Sequence, residues 1–123
     1  MANLVPPFFA NENGDVTIYR TLDDVAAHVE ATDVRNGAYD FYDSRGQVIL
    51  ASISADRVAL APAPQNVMHP EQLESVLRRY FARLPRRFGQ FSELASEAAT
   101  LEDLVSLRER LADTRARGFG WTR

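Results

Sequence analysis

At 123 residues, 46% hydrophobic and 25% charged, the chain has the length and composition of one soluble globular domain, able to build a core without metals or cross-links. It has no cysteine, which excludes disulfides, thiolate metal sites and thiol nucleophiles. The net charge of −3 is uneven: residues 1–68 hold nine acids and four arginines, residues 69–123 eight acids and ten arginines, so the first half argues against a nucleic-acid surface and for a cationic partner.

The opening Met1–Pro7 has neither the basic nor the long apolar region of a signal peptide, and nowhere do about 18 apolar residues run together as a membrane span requires. A bacterial-type cytoplasmic location is therefore the expectation. Pro6 and Pro7 lack N–H groups, which starts the first strand near Phe8 and places it at a sheet edge. Asn11-Glu12-Asn13-Gly14 supplies a turn. Asp15–Arg20 is β-branched and aromatic, with Val16 and Ile18 on one face and Thr17 and Tyr19 on the other, and it pairs with Phe8–Ala10. Thr21 then caps a helix in which Leu22, Val25, Ala26 and Val29 recur at helical spacing, to about Ala31.

The stretch from Asp33 to Leu50 organises the middle of the chain. It leaves a helix, turns at Asn36-Gly37, alternates aromatic and acidic residues through Tyr39–Asp43, turns at Ser44-Arg45-Gly46 and enters an apolar strand. Val48–Ser54 and Arg57–Ala61 complete a three-strand meander that Pro62 and Pro64 end. His69-Pro70-Glu71 opens a helix carrying Leu73, Val76, Leu77, Tyr80, Phe81 and Leu84 on one face, closed by Pro85. Arg86–Gln90 reads as a basic linker, and Phe91–Ala99 as a short helix capped by Ser92. Thr100 opens a last helix through about Arg117, which Gly118-Phe119-Gly120-Trp121 ends, its aromatic pair either folded back or loose. The order ββα-βββ-ααα predicts a single α+β domain over residues 1–123, an antiparallel sheet of about five strands with helices packed mainly on one face.

Chemistry-bearing patterns are sparse. His28 and His69 lack metal-ligand or acid/base spacing and read as structural. Ser44 reads as a turn residue, since neither a nucleophile elbow nor a lysine accompanies it. The six glycines are too dispersed to cradle a phosphate. Asp23 and Asp24 are accounted for by capping, and Asp40 and Asp43 fall on opposite strand faces. Arg78, Arg79, Arg83, Arg86 and Arg87 read as a solvated face, with Glu74 and Arg78 as an i, i+4 pair. No catalytic, cofactor-binding or metal-binding residue is assigned. What remains is a polar display, Glu30, Asp33, Asp40, Tyr42 and Asp43. With Tyr39 and Phe41 in the core, Asp40 and Tyr42 point outward beside carboxylates, the composition of a protein-binding patch or of an ordinary half-solvated sheet face.

Through Thr21-Leu22-Asp23-Asp24-Val25, Asp33-Val34-Arg35-Asn36-Gly37-Ala38-Tyr39 and Tyr42-Asp43-Ser44-Arg45-Gly46, roughly residues 14–50, the chain resembles small bacterial immunity proteins of polymorphic toxin systems. The shared pattern is a short helix, a D-V-x-N-G-x-Y hairpin entry and a Y-D-x-x-G turn, with Ala38 standing where that pattern has an acid. The resemblance implies a non-enzymatic inhibitor, without cofactor, that occupies a toxin's active site or an adjacent surface. The rival readings are a small-molecule-binding or regulatory domain with a pocket between the sheet and the Leu73–Leu84 helix, an enzyme with dispersed carboxylates, and an arginine-stripe nucleic-acid binder. The sequence leaves the oligomeric state open.

Overall fold

The computed structural model, which describes residues 3–119, builds its sheet from hairpins whose turns require positive φ. Asn13 and Gly14, at φ 54° and 91°, join β1 (Phe8–Glu12) to β2 (Asp15–Tyr19). Ala55 and Asp56, at φ 50° and 61°, join β4 (Val48–Ser54) to β5 (Arg57–Pro62). Both are two-residue turns with the twist that antiparallel strands favour. Between them lie α1 (Leu22–His28), α2 (Ala31–Arg35) and β3 (Tyr39–Tyr42), and after β5 come α3 (Pro70–Ala82), α4 (Gly89–Glu97) and α5 (Leu101–Phe119). The expected order therefore holds, with α2 as an extra short helix. Gly120 and Trp121 lie outside the described residues.

The strands are ordered β2-β1-β3-β4-β5, all neighbours antiparallel. This corrects the edge position expected for the first strand. β1 is interior, pairing β2 from Phe8↔Tyr19 and β3 from Phe9↔Tyr42. Pro6 and Pro7 precede the ladder, so they remove no hydrogen bond from it.

Alternation along the strands feeds two buried clusters. On one face Phe9, Val16, Ile18 and Tyr42 pack against Leu73, Leu77 and Phe81 of α3, Phe91 of α4, and Leu104 and Leu111 of α5. On the other, Phe8, Ala10, Tyr19, Phe41 and Ile49 meet Val25 of α1 and Val29, with Leu22 and Val34 partly buried beside them. Each fully buried Phe or Leu contributes about 1.5–3 kcal/mol. The three long helices thus share one face, as expected, and the two short ones cover part of the other. No helix among the described residues is long and apolar enough to cross a membrane.

The expected threonine caps form: Thr21 Oγ1 accepts from the Asp24 N–H at 3.0 Å, and Thr100 Oγ1 from the Asp103 N–H at 3.2 Å. Ser92 does not cap α4. Its hydroxyl donates to the Phe81 carbonyl at 2.7 Å, tying α4 to the end of α3. Arg78 pairs with Glu74 at 3.0 Å, as the spacing predicts, and also donates to the Ala95 and Ala98 carbonyls at the end of α4. Its fork joins two helices instead of lying in solvent.

The turn after β3 is held by Asp43, whose side chain is 0% exposed. Its Oδ1 accepts from the Arg45 and Gln47 backbone N–H groups, each at 2.9 Å, and its Oδ2 from the Val5 N–H at 3.0 Å and Arg45 Nη2 at 3.3 Å. Gly46 follows at φ +86°, and a Cβ there would lie 2.5 Å from Pro70 Cα. Only glycine permits that approach, which seats the turn against the start of α3, where the His69 N–H donates to the Gly46 carbonyl at 2.7 Å.

Candidate partner-binding site

β3 and β4 pair only at Phe41↔Ile49 and Tyr42↔Val48, whereas β4 continues with β5 as far as Ser54↔Arg57. Tyr39 and Asp40 therefore diverge from Leu50 and the residues beyond it. A groove of about 550 Å³ opens at the divergence, running from Val34, Gly37, Tyr39 and Asp40 toward His69 and Gln72 at the start of α3. The long helices cover β2, β1 and β3 but leave the β4–β5 end of their face bare. Leu50 is 52% exposed there, Val67 36% and Met68 42%, and Leu50 and Val67 line the groove itself. Val67 is held beside β4 by its carbonyl, which accepts from the Val48 N–H at 2.8 Å. Clustered apolar exposure with polar neighbours is the character of a docking surface.

Acids gather at the β3 end of this groove. Register places Glu12 opposite Tyr39 and Asn11 opposite Asp40. The Tyr39 phenol is pushed above its ordinary 10.0, first by burial and then by the charges of Glu12 and Asp33, against a hydrogen bond with the Glu30 backbone. The charges of Glu12 and Asp33, both half-buried, thus bear on Tyr39 together with the Glu30 backbone, while the exposed Asp40 belongs to the opposite face of β3, where its charge acts on Tyr42. Arg35, the basic residue of α2, is turned to Asp56 at 2.7 Å.

Of the five residues expected in the patch, Asp33 bears on Tyr39 by its charge, Glu30 through its backbone, and Asp40 lines the groove from the other face of β3. Tyr42 and Asp43 are not part of an exposed display. Tyr42 is buried because its face of the sheet is covered by the long helices, and its hydroxyl donates to Gln72 Oε1 at 3.3 Å. Asp43 is consumed by the backbone N–H groups of its own turn. Sequence reasoning missed Glu12 and Tyr39, which reach the site through the long-range β1–β3 pairing. It also missed Leu50, Val67 and Gln72. The Asn36-Gly37 turn, which ends α2 immediately before Tyr39, was the local signal that pointed to this corner.

The remaining candidates have structural partners. His28 Nδ1 lies 2.7 Å from the Asp24 carbonyl, and its ring lies against Tyr19. His69 sits just ahead of α3, 3.6 Å from Glu71. Among the described residues no three His, Asp or Glu side chains assemble as metal ligands.

Tyr42 is also pushed above the ordinary tyrosine value, by burial and then by Asp40. A folded-state pKa that is raised makes a stabilising contribution that is complete below the unfolded value and disappears as pH rises through the folded one. Stability should therefore fall as pH climbs from about 10, and Tyr39→Phe and Tyr42→Phe should each flatten that fall. Urea midpoints measured across the alkaline range check this. A wild-type slope retained in both variants would contradict it.

Comparison with protein-family models, curated proteins and solved structures finds no match for the chain.

Proposed function

We propose that this chain is a non-enzymatic protein-binding domain, an immunity protein that binds and neutralises a cognate bacterial toxin. The observation that carries this reading is the acidic character of the β3 end, with Glu12 and Asp33 beside Tyr39 and Asp40 lining a groove whose mouth exposes Leu50 and Val67. Apolar side chains provide the desolvated centre of such an interface, and like-signed charges beside them select a basic partner and accelerate its approach. The partner's contact surface is accordingly basic, with an apolar side chain that enters the groove.

A small-molecule reading has one supporting observation, the convergence of Asp40, His69 and Gln72 on the same groove. The open mouth and exposed apolar rim favour a macromolecule. The test is co-expression with the protein recovered stoichiometrically on the tagged chain from its native host. Growth arrest by that protein, relieved by this chain, is the expected result; a recovered partner without toxicity would remove the inhibitor reading.

A further inference from the structure

The sheet has two edges, and they are treated differently. Across a two-residue hairpin turn the flanking residues form a hydrogen-bonded pair, and bonded and non-bonded pairs then alternate. In the β1–β2 hairpin this rule turns the Val16 backbone groups outward. They meet Arg108 of α5, which is 3% exposed and donates from Nη2 to the Val16 carbonyl at 3.0 Å, with its guanidinium 4.8 Å from the Tyr80 ring centroid. Among the described residues its Nε and Nη1 have no hydrogen-bond partner. A buried cation held this way occupies the outward Val16 carbonyl, an acceptor that a strand pairing at the β2 edge would need.

The β5 edge has no such cover. The same alternation directs Arg57, Ala59 and Ala61 toward β4 and Val58 and Leu60 outward, and the Ala63 N–H to Val48 carbonyl bond at 2.9 Å continues that phase. Pro62 occupies the next outward position, where an N–H would otherwise face solvent. The β4–β5 register is unbroken from Ile49↔Pro62 to Ser54↔Arg57, and no acid or lysine guards the strand. Among the described residues no group outside β4 hydrogen-bonds to the Val58 or Leu60 backbone.

We infer that β5 pairs antiparallel with β5 of a second copy of the chain, about a two-fold axis at Ala59, to form a continuous sheet. The short edge fits a copy of itself. Pairing Val58 with Leu60 of the partner copy, and the reverse, satisfies all the outward groups and leaves Pro62 outside the paired segment. Val58 and Leu60, half-buried on the α1 side, become apolar cross-strand neighbours. On the opposite face Arg57 stands across from Ala61 of the partner copy, so no like charges meet.

Sedimentation equilibrium of the full chain, from micromolar to about 1 mM, tests this. A monomer–dimer equilibrium is expected. Val58→Pro removes an outward N–H that β4 does not use and should abolish the dimer. Should that variant unfold, Ala61 decides the matter. Ala61→Arg places like charges across the interface twice and should weaken association about tenfold, whereas Ala61→Glu should strengthen it by a similar factor. Monomers throughout would overturn the inference and leave the edge for a strand of another protein. So would a dimer that responds identically to both Ala61 substitutions, because its interface would lie elsewhere.

Discussion

Asp43→Ala should destabilise the domain by about 3–5 kcal/mol, on the order of 10–20 °C in Tm. The substitution removes a fully buried carboxylate and strands the N–H groups of Val5, Arg45 and Gln47 together. These donors fix the β3–β4 turn, tether the segment ahead of β1 and set the position of Gly46 beneath Pro70. Asp43→Asn, which retains one acceptor oxygen, should fall between wild type and Asp43→Ala. Asp40→Ala, which removes an exposed side chain of β3 with no hydrogen-bond partner among the described residues, should stay within about 0.5 kcal/mol. Equilibrium denaturation compares all three. Equal losses at Asp40 and Asp43 would contradict the assignment of Asp43 to the framework.

The second large effect concerns binding. Reversing both Asp33 and Asp40 to arginine replaces two acids beside the groove without touching a buried group's hydrogen bonds. Association with a basic partner should slow about tenfold or more at low salt, with the deficit shrinking as salt screens the field. Thermal stability should barely change. Asp43 belongs to no such test, because its loss destabilises the turn at the end of β3 and would confound charge with stability. A slower association at every salt concentration would indicate altered shape instead of altered charge.

Much of the sheet was legible because its turns are written locally. Asn13-Gly14 and Gly46 need backbone conformations that few residues adopt, and Thr21 and Thr100 announce helices that begin where expected. What local chemistry does not encode is the β1–β3 pairing, which brings Glu12 to Tyr39 from a distant part of the chain. The outward placement of Tyr42 failed for a related reason. Strand parity was read correctly, but parity identifies a solvent face only when one side of the sheet is bare, and β3 is covered on both sides. Helix α2 was missed because five residues with no side-chain cap carry too little periodicity to register. The groove depends on where the β3–β4 ladder stops, and no short pattern specifies it.

The acidic corner is the centre of this account, and a paired purification tests it most directly. Tagged wild type and the Asp33→Arg/Asp40→Arg variant, both verified as folded, would be recovered from the native host under identical low-salt conditions and their stoichiometric partners identified. One basic protein on the wild type and its loss from the variant is the expected result. The same partner retained equally by both would contradict it.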